Sequence, residues 1–296
     1  MNPLVNTGSI ATPRFREIQE GDLDAIADLL TRGFAIRKRD YWMGGLHRLG
    51  IRSVPSGVPR YGYMMEHDNK PVGCLLHIYS TKMLDGHLVT CCNVSSWYFV
   101  PEFRNYAALL ASTTQRREGV IYFNVTPAVS TWPILEVQGF KAYCRGQCFS
   151  FPFLSRNASR MRIEIVTPNT VGGLQNDELE MLKRHAGYGC LSLICHTEEE
   201  TFPFIFFSLK KWRGIIPLPF LQLGYCRALG DYVKCAGALG RFLLSRGMLV
   251  VVSDANGPII GVRGIYSEAR GRKYFKGPFS PRLSDLADTE LAIFGM

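Results

Sequence analysis

One order of elements is written twice in this chain, the second copy offset from the first by about 130 residues. A repeat of that length marks duplicated domains rather than stacked solenoid units. In the first copy, residues 14–18 read as a short strand. Asp22 follows as the cap of a helix whose apolar positions Leu23, Ile26, Ala27, Leu30 and Phe34 share one face. Residues 35–59 are less regular, with a further helix around 41–49. Strands over 61–66 and 71–80 flank His67-Asp68-Asn69-Lys70, and Asp-Asn is hairpin chemistry. After Asp85-Gly86 comes a long strand, 88–101, rich in Val, Thr, Trp, Tyr and Phe. A helix over 104–117 stops at Gly119, a buried strand covers 120–125, a short helix over 132–137 closes at Gly139, and 141–149 is a last strand.

The second copy follows suit. It reads as a strand over 162–166, a helix over 176–186, and strands over 189–195 and 202–209 around the acidic turn Glu198-Glu199-Glu200. A long strand over 220–229, a helix over 234–245 stopped by Gly247 and a buried strand over 248–253 complete it. Both halves therefore run β-α-β-β-β-α-β-α-β. That order predicts an α/β fold, with a mixed sheet flanked by helices in each of two domains, 1–151 and 152–296. At 296 residues, each half is long enough to bury its own core.

Nine cysteines at irregular spacings, with no CxxC pair, predict reduced and mostly buried thiols in a cytoplasmic protein. Residues 1–13 lack the apolar core of a signal peptide, and no run approaches the roughly 20 apolar residues of a membrane span. The net charge of +9 suits a ligand carrying phosphates. The basic residues are dispersed, with Arg37-Lys38-Arg39 the densest run, which argues against nucleic acid. No metal-ligand spacing, nucleophile elbow or Walker loop occurs.

The chemistry concentrates in Trp97-Tyr98-Phe99-Val100-Pro101-Glu102-Phe103-Arg104-Asn105-Tyr106-Ala107-Ala108-Leu109. A hydrophobic strand ends in proline, and a helix opens a few residues later with a cation at its mouth. Unpaired N–H groups at a helix start attract anions, and a guanidinium fork suits phosphate. The pattern favours a pyrophosphate ligand at the turn, its tail running beside the strand.

These residues resemble the acyl-CoA-binding signature of the GNAT acyltransferase superfamily, a V-x-P-x-x-R lead followed by an R/Q-x-x-G-x-G/A loop. Pro101, Glu102 and Arg104 match. Ala107 and Leu109 stand where the two glycines belong. The resemblance spans roughly residues 14–143 and implies acyl transfer from acyl-CoA to a primary amine, with no metal. Trp97, Tyr98, Phe99, Arg104, Asn105, Tyr106, Ala107, Ala108, Leu109 and Asn124 would hold the cofactor. The family's usual acid, a tyrosine four residues before the terminal Gly-Phe pair, is replaced by Leu135, so Tyr98, Tyr106 or Tyr122 would substitute. Glu66, His77 and His87 are the candidate bases. For Asn124 a turn role competes equally, and for the bases a structural role is the stronger reading. The acceptor implied is a small amine such as an amino sugar or nucleotide sugar, or a protein terminus, and an acyl-carrier protein is an alternative donor. The second half, with Lys234-Cys235-Ala236-Gly237-Ala238-Leu239 at the matching place, lacks the proline lead and reads as degenerate. A degenerate pair that senses acyl-CoA or binds a partner without turnover is the rival function.

Overall fold

The computed structural model describes residues 13–84, 86–156, 160–213 and 216–295. The first half contains β1 (Arg14–Glu17), α1 (Leu23–Gly33), α2 (Arg39–Ile51), β2 (Gly62–His67), β3 (Lys70–Leu84) and β4 (His87–Phe99). It continues with α3 (Ala107–Thr114), β5 (Val120–Asn124), α4 (Trp132–Val137), β6 (Lys141–Cys144) and β7 (Gly146–Ser150). The second half contains β8 (Arg162–Ile165), α5 (Asn176–Gly187), β9 (Leu191–His196), β10 (Thr201–Arg213) and β11 (Ile216–Tyr225). After these come α6 (Leu229–Leu244), β12 (Val250–Ala255), β13 (Gly264–Ser267), β14 (Lys273–Lys276) and α7 (Glu290–Ile293).

Two mixed sheets of seven strands form, in the orders β1-β2-β3-β4-β5-β14-β6 and β13-β7-β12-β11-β10-β9-β8. Among the described residues, each contains one parallel pair. β4 runs parallel to β5 from Thr90 opposite Val120 to Asn93 opposite Phe123, and β11 runs parallel to β12 from Phe220 opposite Val250 to Gln222 opposite Val252. Each parallel ladder ends on a buried amide, Asn93 or Gln222. The duplication is thus visible in the register itself.

The single strand expected over 141–149 is two strands in two sheets. Arg145 separates them: β6 is the edge of the first sheet, while β7 lies inside the second, between β13 and β12. The second half reciprocates, with β13 on the edge of its own sheet and β14 inserted between β5 and β6. Sheet membership therefore does not follow a division at residue 151. The second half also departs from the repeated order, because β13 follows β12 with no helix between them.

Contacts divide the chain into two compact units. One holds residues up to 78 together with 94–118, and the other holds 79–93 and the residues from 119 onward. In the first, the apolar face of α1 (Ile26, Ala27, Leu29, Leu30) is buried and the helix packs against α2. Asp22 does not cap α1 as predicted. Its carboxylate closes the preceding 3-10 turn by accepting from the Gln19 N–H at 2.8 Å, and it binds Arg16. The Asp68-Asn69 turn is as expected, both residues lying in the left-handed region at φ 48° and 57°.

In the second unit, Val89, Cys91, Ile121 and Phe123 of the first sheet share one buried cluster with Ile194, Ile205 and Phe207 of the second and Leu179 and Leu182 of α5. A second cluster joins β9–β11 to α6 through Phe204, Phe206, Leu223, Tyr232 and Leu239. The cysteines are free thiols, all buried except half-buried Cys190. No helix among the described residues is long and apolar enough to cross a membrane.

Candidate functional site

β4 outruns its pairing with β5. Its register with β5 ends at Asn93 opposite Phe123, yet β4 continues to Phe99. Ser96 breaks the extended conformation at φ 49°, a left-handed value rare for a residue other than glycine. Cys91 to Ser95 are buried on both faces of the strand, and beyond Ser96 the side chains of Trp97 and Tyr98 are half-buried and that of Phe99 is buried. Of these, Phe99 is buried against Gly73, where a Cβ would stand 2.3 Å from the ring. The Trp97 ring is half-buried and its indole N–H is buried without a hydrogen-bond partner.

The turn after β4 is a 3-10 helix, Pro101–Tyr106, that runs directly into α3. The predicted helix over 104–117 is therefore shorter and starts later, because Pro101 nucleates the tighter 3-10 turn first. The Val100 N–H donates to Val72 O at 2.9 Å and ties the turn to β3. Phe103 anchors it against His67, with ring centroids 5.0 Å apart, and Leu110 and Ala111 bury the far face of α3. Arg104, Asn105, Tyr106, Ala108 and Leu109 are exposed, and Ala107 is half-buried. Among the described residues Arg104 makes no ion pair, with Glu102 or any other carboxylate. Leu109, at one of the expected glycines, turns its side chain to solvent, with 49% of its surface exposed.

The proposed proton-transfer groups fare differently. Glu66 is buried and bound by Arg14 at 2.9 Å and by Arg16, and these guanidiniums hold its carboxyl below the usual range. A carboxylate so engaged is a poor base, and its role is to pin β1 to β2. His77 is fully buried, edge-on to Tyr63 at 5.3 Å, and burial presses its pKa down to about 3. His87 stacks on Phe279 at 5.8 Å. Tyr122 is buried in β5 at 2% exposure, in the position of a core residue. Tyr98 is half-buried with its ring over Gly33, where a Cβ would stand 2.4 Å away, and 6.2 Å from Phe34. The Asn124 side chain accepts from the Thr126 N–H at 3.2 Å, which is the turn role.

At the matching place in the second half, the start of α6 is already closed. Asp231 accepts from the Ala228 N–H at 3.1 Å, Lys234 is paired to Glu200 at 2.7 Å, and Arg227 is committed to Glu178. The cleft beside it is lined by Glu198, Glu199 and Glu200. Carboxylates at that density oppose a phosphate ligand.

A polar group that sequence reasoning missed is gathered in the second unit where the β4–β5 ladder ends. The Asn93 side chain accepts from the Glu290 N–H at 2.9 Å, and the Glu290 carboxylate accepts from the Thr126 hydroxyl at 2.6 Å through Oε1. Beside it Lys273, 3% exposed, donates to Val125 O at 3.3 Å and lies 3.1 Å from Asp254. No local spacing could reveal this group, because Asn93 and Glu290 are 197 residues apart. Among the described residues no cluster of three or more His, Cys, Asp or Glu side chains forms that could hold a metal.

No protein-family model matches the chain, and no curated protein matches it. Solved structures do. A GCN5-related N-acetyltransferase from Anabaena variabilis is similar over 89% of this chain and 72% of its own, at 11% identity and a TM-score of 0.59. One from Kribbella flavida is similar over 90% and 71%, at 14% identity and a TM-score of 0.54. The glucosamine N-acetyltransferase region of a fungal multi-domain β-N-acetylglucosaminidase is similar over 90% of this chain and 38% of that one, at 11% identity and a TM-score of 0.53. The chain has the tandem fold of GCN5-related N-acetyltransferases.

Proposed function

We propose that the protein transfers an acyl group from acyl-CoA to a primary amine, with the first half binding the donor and the second half serving structure. The observation that carries this reading is the end of β4. It is a strand that continues past its parallel partner, takes a left-handed backbone at Ser96 and delivers an unpaired, exposed Arg104 on a turn begun by Pro101. An unpaired strand edge offers amide groups to a pantetheine arm, and a free guanidinium suits its pyrophosphate. Trp97, Tyr98 and Phe99 would flank the arm, and residues 104–109 would meet the phosphates. The unpartnered Trp97 N–H supports a donor role toward a carbonyl. Tyr98 is the phenol on this strand that would return a proton to the departing thiolate. The glucosamine acetyltransferase among the similar structures supports an amino sugar as acceptor. An acyl-carrier protein presents the same pantetheine arm and would be an alternative donor. The free thiols suit a reducing compartment such as the cytoplasm.

Titration calorimetry with acetyl-CoA, paired with thiol release in the presence of a panel of primary amines, tests the reading. One CoA per chain is expected, lost in Arg104→Glu and retained in Lys234→Glu. Unchanged affinity in a folded Arg104→Glu protein would overturn the donor site. Binding with no thiol release from any amine would select the non-catalytic alternative, which buried Leu135 at the family's tyrosine position favours.

A further inference from the structure

We infer that the acceptor carries a phosphate as well as its amine, and that Arg32 and Lys70 hold that phosphate in a cleft of the first unit. The inference rests on the acyl-transfer reading above and adds to it the chemical class of the acceptor. The cleft measures about 490 Å³, the size of a small-molecule site. Its walls are Ala25, Asp28, Thr31 and Arg32 of α1, and Lys70 and Pro71 at the start of β3. All six belong to the unit that also carries residues 97–109. Both walls adjoin the donor strand. On the α1 side, Arg32 precedes Gly33, on which the Tyr98 ring of β4 rests. On the β3 side, Pro71 precedes Val72, whose carbonyl accepts from the Val100 N–H at 2.9 Å. A ligand seated there lies beside the end of β4, where the reading above puts the pantetheine arm.

The charges in the cleft are unevenly committed. Asp28 is engaged by Arg39, whose Nε lies 2.7 Å from its carboxylate and which also binds Asp24. The Thr31 hydroxyl gives its proton to Ala27 O at 2.7 Å. Arg32 and Lys70 are exposed, and among the described residues neither side chain has an ion-pair or hydrogen-bond partner. A helix and a hairpin thus each bring one uncommitted cation to the same concavity. The second half spends its cations differently, with Lys234 held by Glu200 and Arg227 by Glu178. A guanidinium fork and an ammonium can donate to different oxygens of one phosphate, and such charge-assisted bonds are the strong ones. A phosphate monoester, with three acceptor oxygens and close to two charges, uses both cations better than a carboxylate does. The donor's own phosphates are met by Arg104 in the reading above, so this second pair of cations serves a second ligand. The amino sugar supported as acceptor becomes, on this chemistry, an amino sugar phosphate.

The test compares glucosamine with its 1- and 6-phosphates, both as acceptors in thiol release from acetyl-CoA and as ligands in calorimetry. The proteins are wild type, the double variant Arg32→Ala/Lys70→Ala, and Lys70→Glu, with melting curves on each. One of the two phosphates is expected to show a KM about 10-fold or more below that of glucosamine. That advantage should collapse in both variants while the affinity for acetyl-CoA holds, and raising the ionic strength of the wild-type assay should erode it too. A wild type that shows no such advantage, or an advantage that survives in both variants, would overturn the inference and leave the acyl-transfer reading standing. Variants that lose acetyl-CoA instead would also overturn it, because the cleft would then hold a phosphate of the donor. Sugar phosphates that bind through Arg32 and Lys70 but take no acetyl group would overturn the acyl-transfer reading, and the acceptor role with it.

Discussion

His77 stands inside the first unit with no exposed surface, its imidazole pressed to a pKa of about 3 by burial and, secondarily, by the charge of Arg117. In the unfolded chain the same ring titrates near 6.5. The folded pKa is the lower one, so the contribution of neutral His77 to stability is complete above about pH 6.5. It declines as pH falls toward 3, by roughly 1.4 kcal/mol per pH unit at most. Glu66 and Asp22 act in a later window. Their folded pKa values are lowered by Arg16, so their contributions hold above the ordinary carboxylate range and fail only as pH drops below about 4. Urea melts at stepped pH should therefore show stability falling already between pH 6.5 and 5. In His77→Leu that early slope should shrink, with buried His185, whose pKa burial also lowers, carrying the remainder, while the carboxylate-driven loss below pH 4 persists. An unchanged early slope in His77→Leu would show that another group carries it. Glu66 also shows what the sequence hides at this scale. A carboxylate beside a hairpin turn reads as a solvated group or a base, and only the antiparallel register that sets Arg14 opposite Glu66 reveals its partners.

At the scale of elements, the left-handed residue Ser96 interrupts the extended run of β4 just before Trp97, Tyr98 and Phe99. Its left-handed backbone tolerates serine or glycine, whereas a β-branched side chain there meets its own backbone. Ser96→Val should lose about 1–2 kcal/mol of stability and weaken acetyl-CoA binding. Ser96→Gly should keep both within experimental error. Equal stability for the two variants would mean the strand can straighten without cost. The long strand ending at Pro101 and the Asp68-Asn69 hairpin were legible because local chemistry governs them: alternation and β-branched residues in one, two left-handed turn residues in the other. The helix expected over 104–117 was legible only in part. Pro101 begins a 3-10 turn that spends six residues before α3 starts. The division of residues 141–149 was not legible at all. β6 and β7 are one uninterrupted run in pattern, and nothing in their own residues says that Arg145 hands the chain from one sheet to another.

The reciprocal exchange of β7 and β14 sets the behaviour of the whole molecule. Without the second half, β5 and β6 lose the strand between them. Tyr122, Phe123 and Asn124 of β5 would then face water along a row of unpaired amides. β7 would likewise be stranded, since both its partners, β12 and β13, belong to the second half. Without the first half, β14 has no sheet to enter. Lys273, buried in the native chain, would lose its bond to Val125 O and leave Asp254 with a solvent-exposed partner. Open edges of this kind favour aggregation. The two halves, though each is long enough for a domain, should therefore not fold separately. A cut between Arg156 and Arg160 gives the decisive experiment. Either fragment expressed alone is expected to be insoluble or to melt without cooperativity. The two expressed together should associate one to one and recover a single cooperative transition. A fragment that melts cooperatively by itself, with dispersed amide resonances, would show that a half can close its own sheet and that the exchanged strands are dispensable.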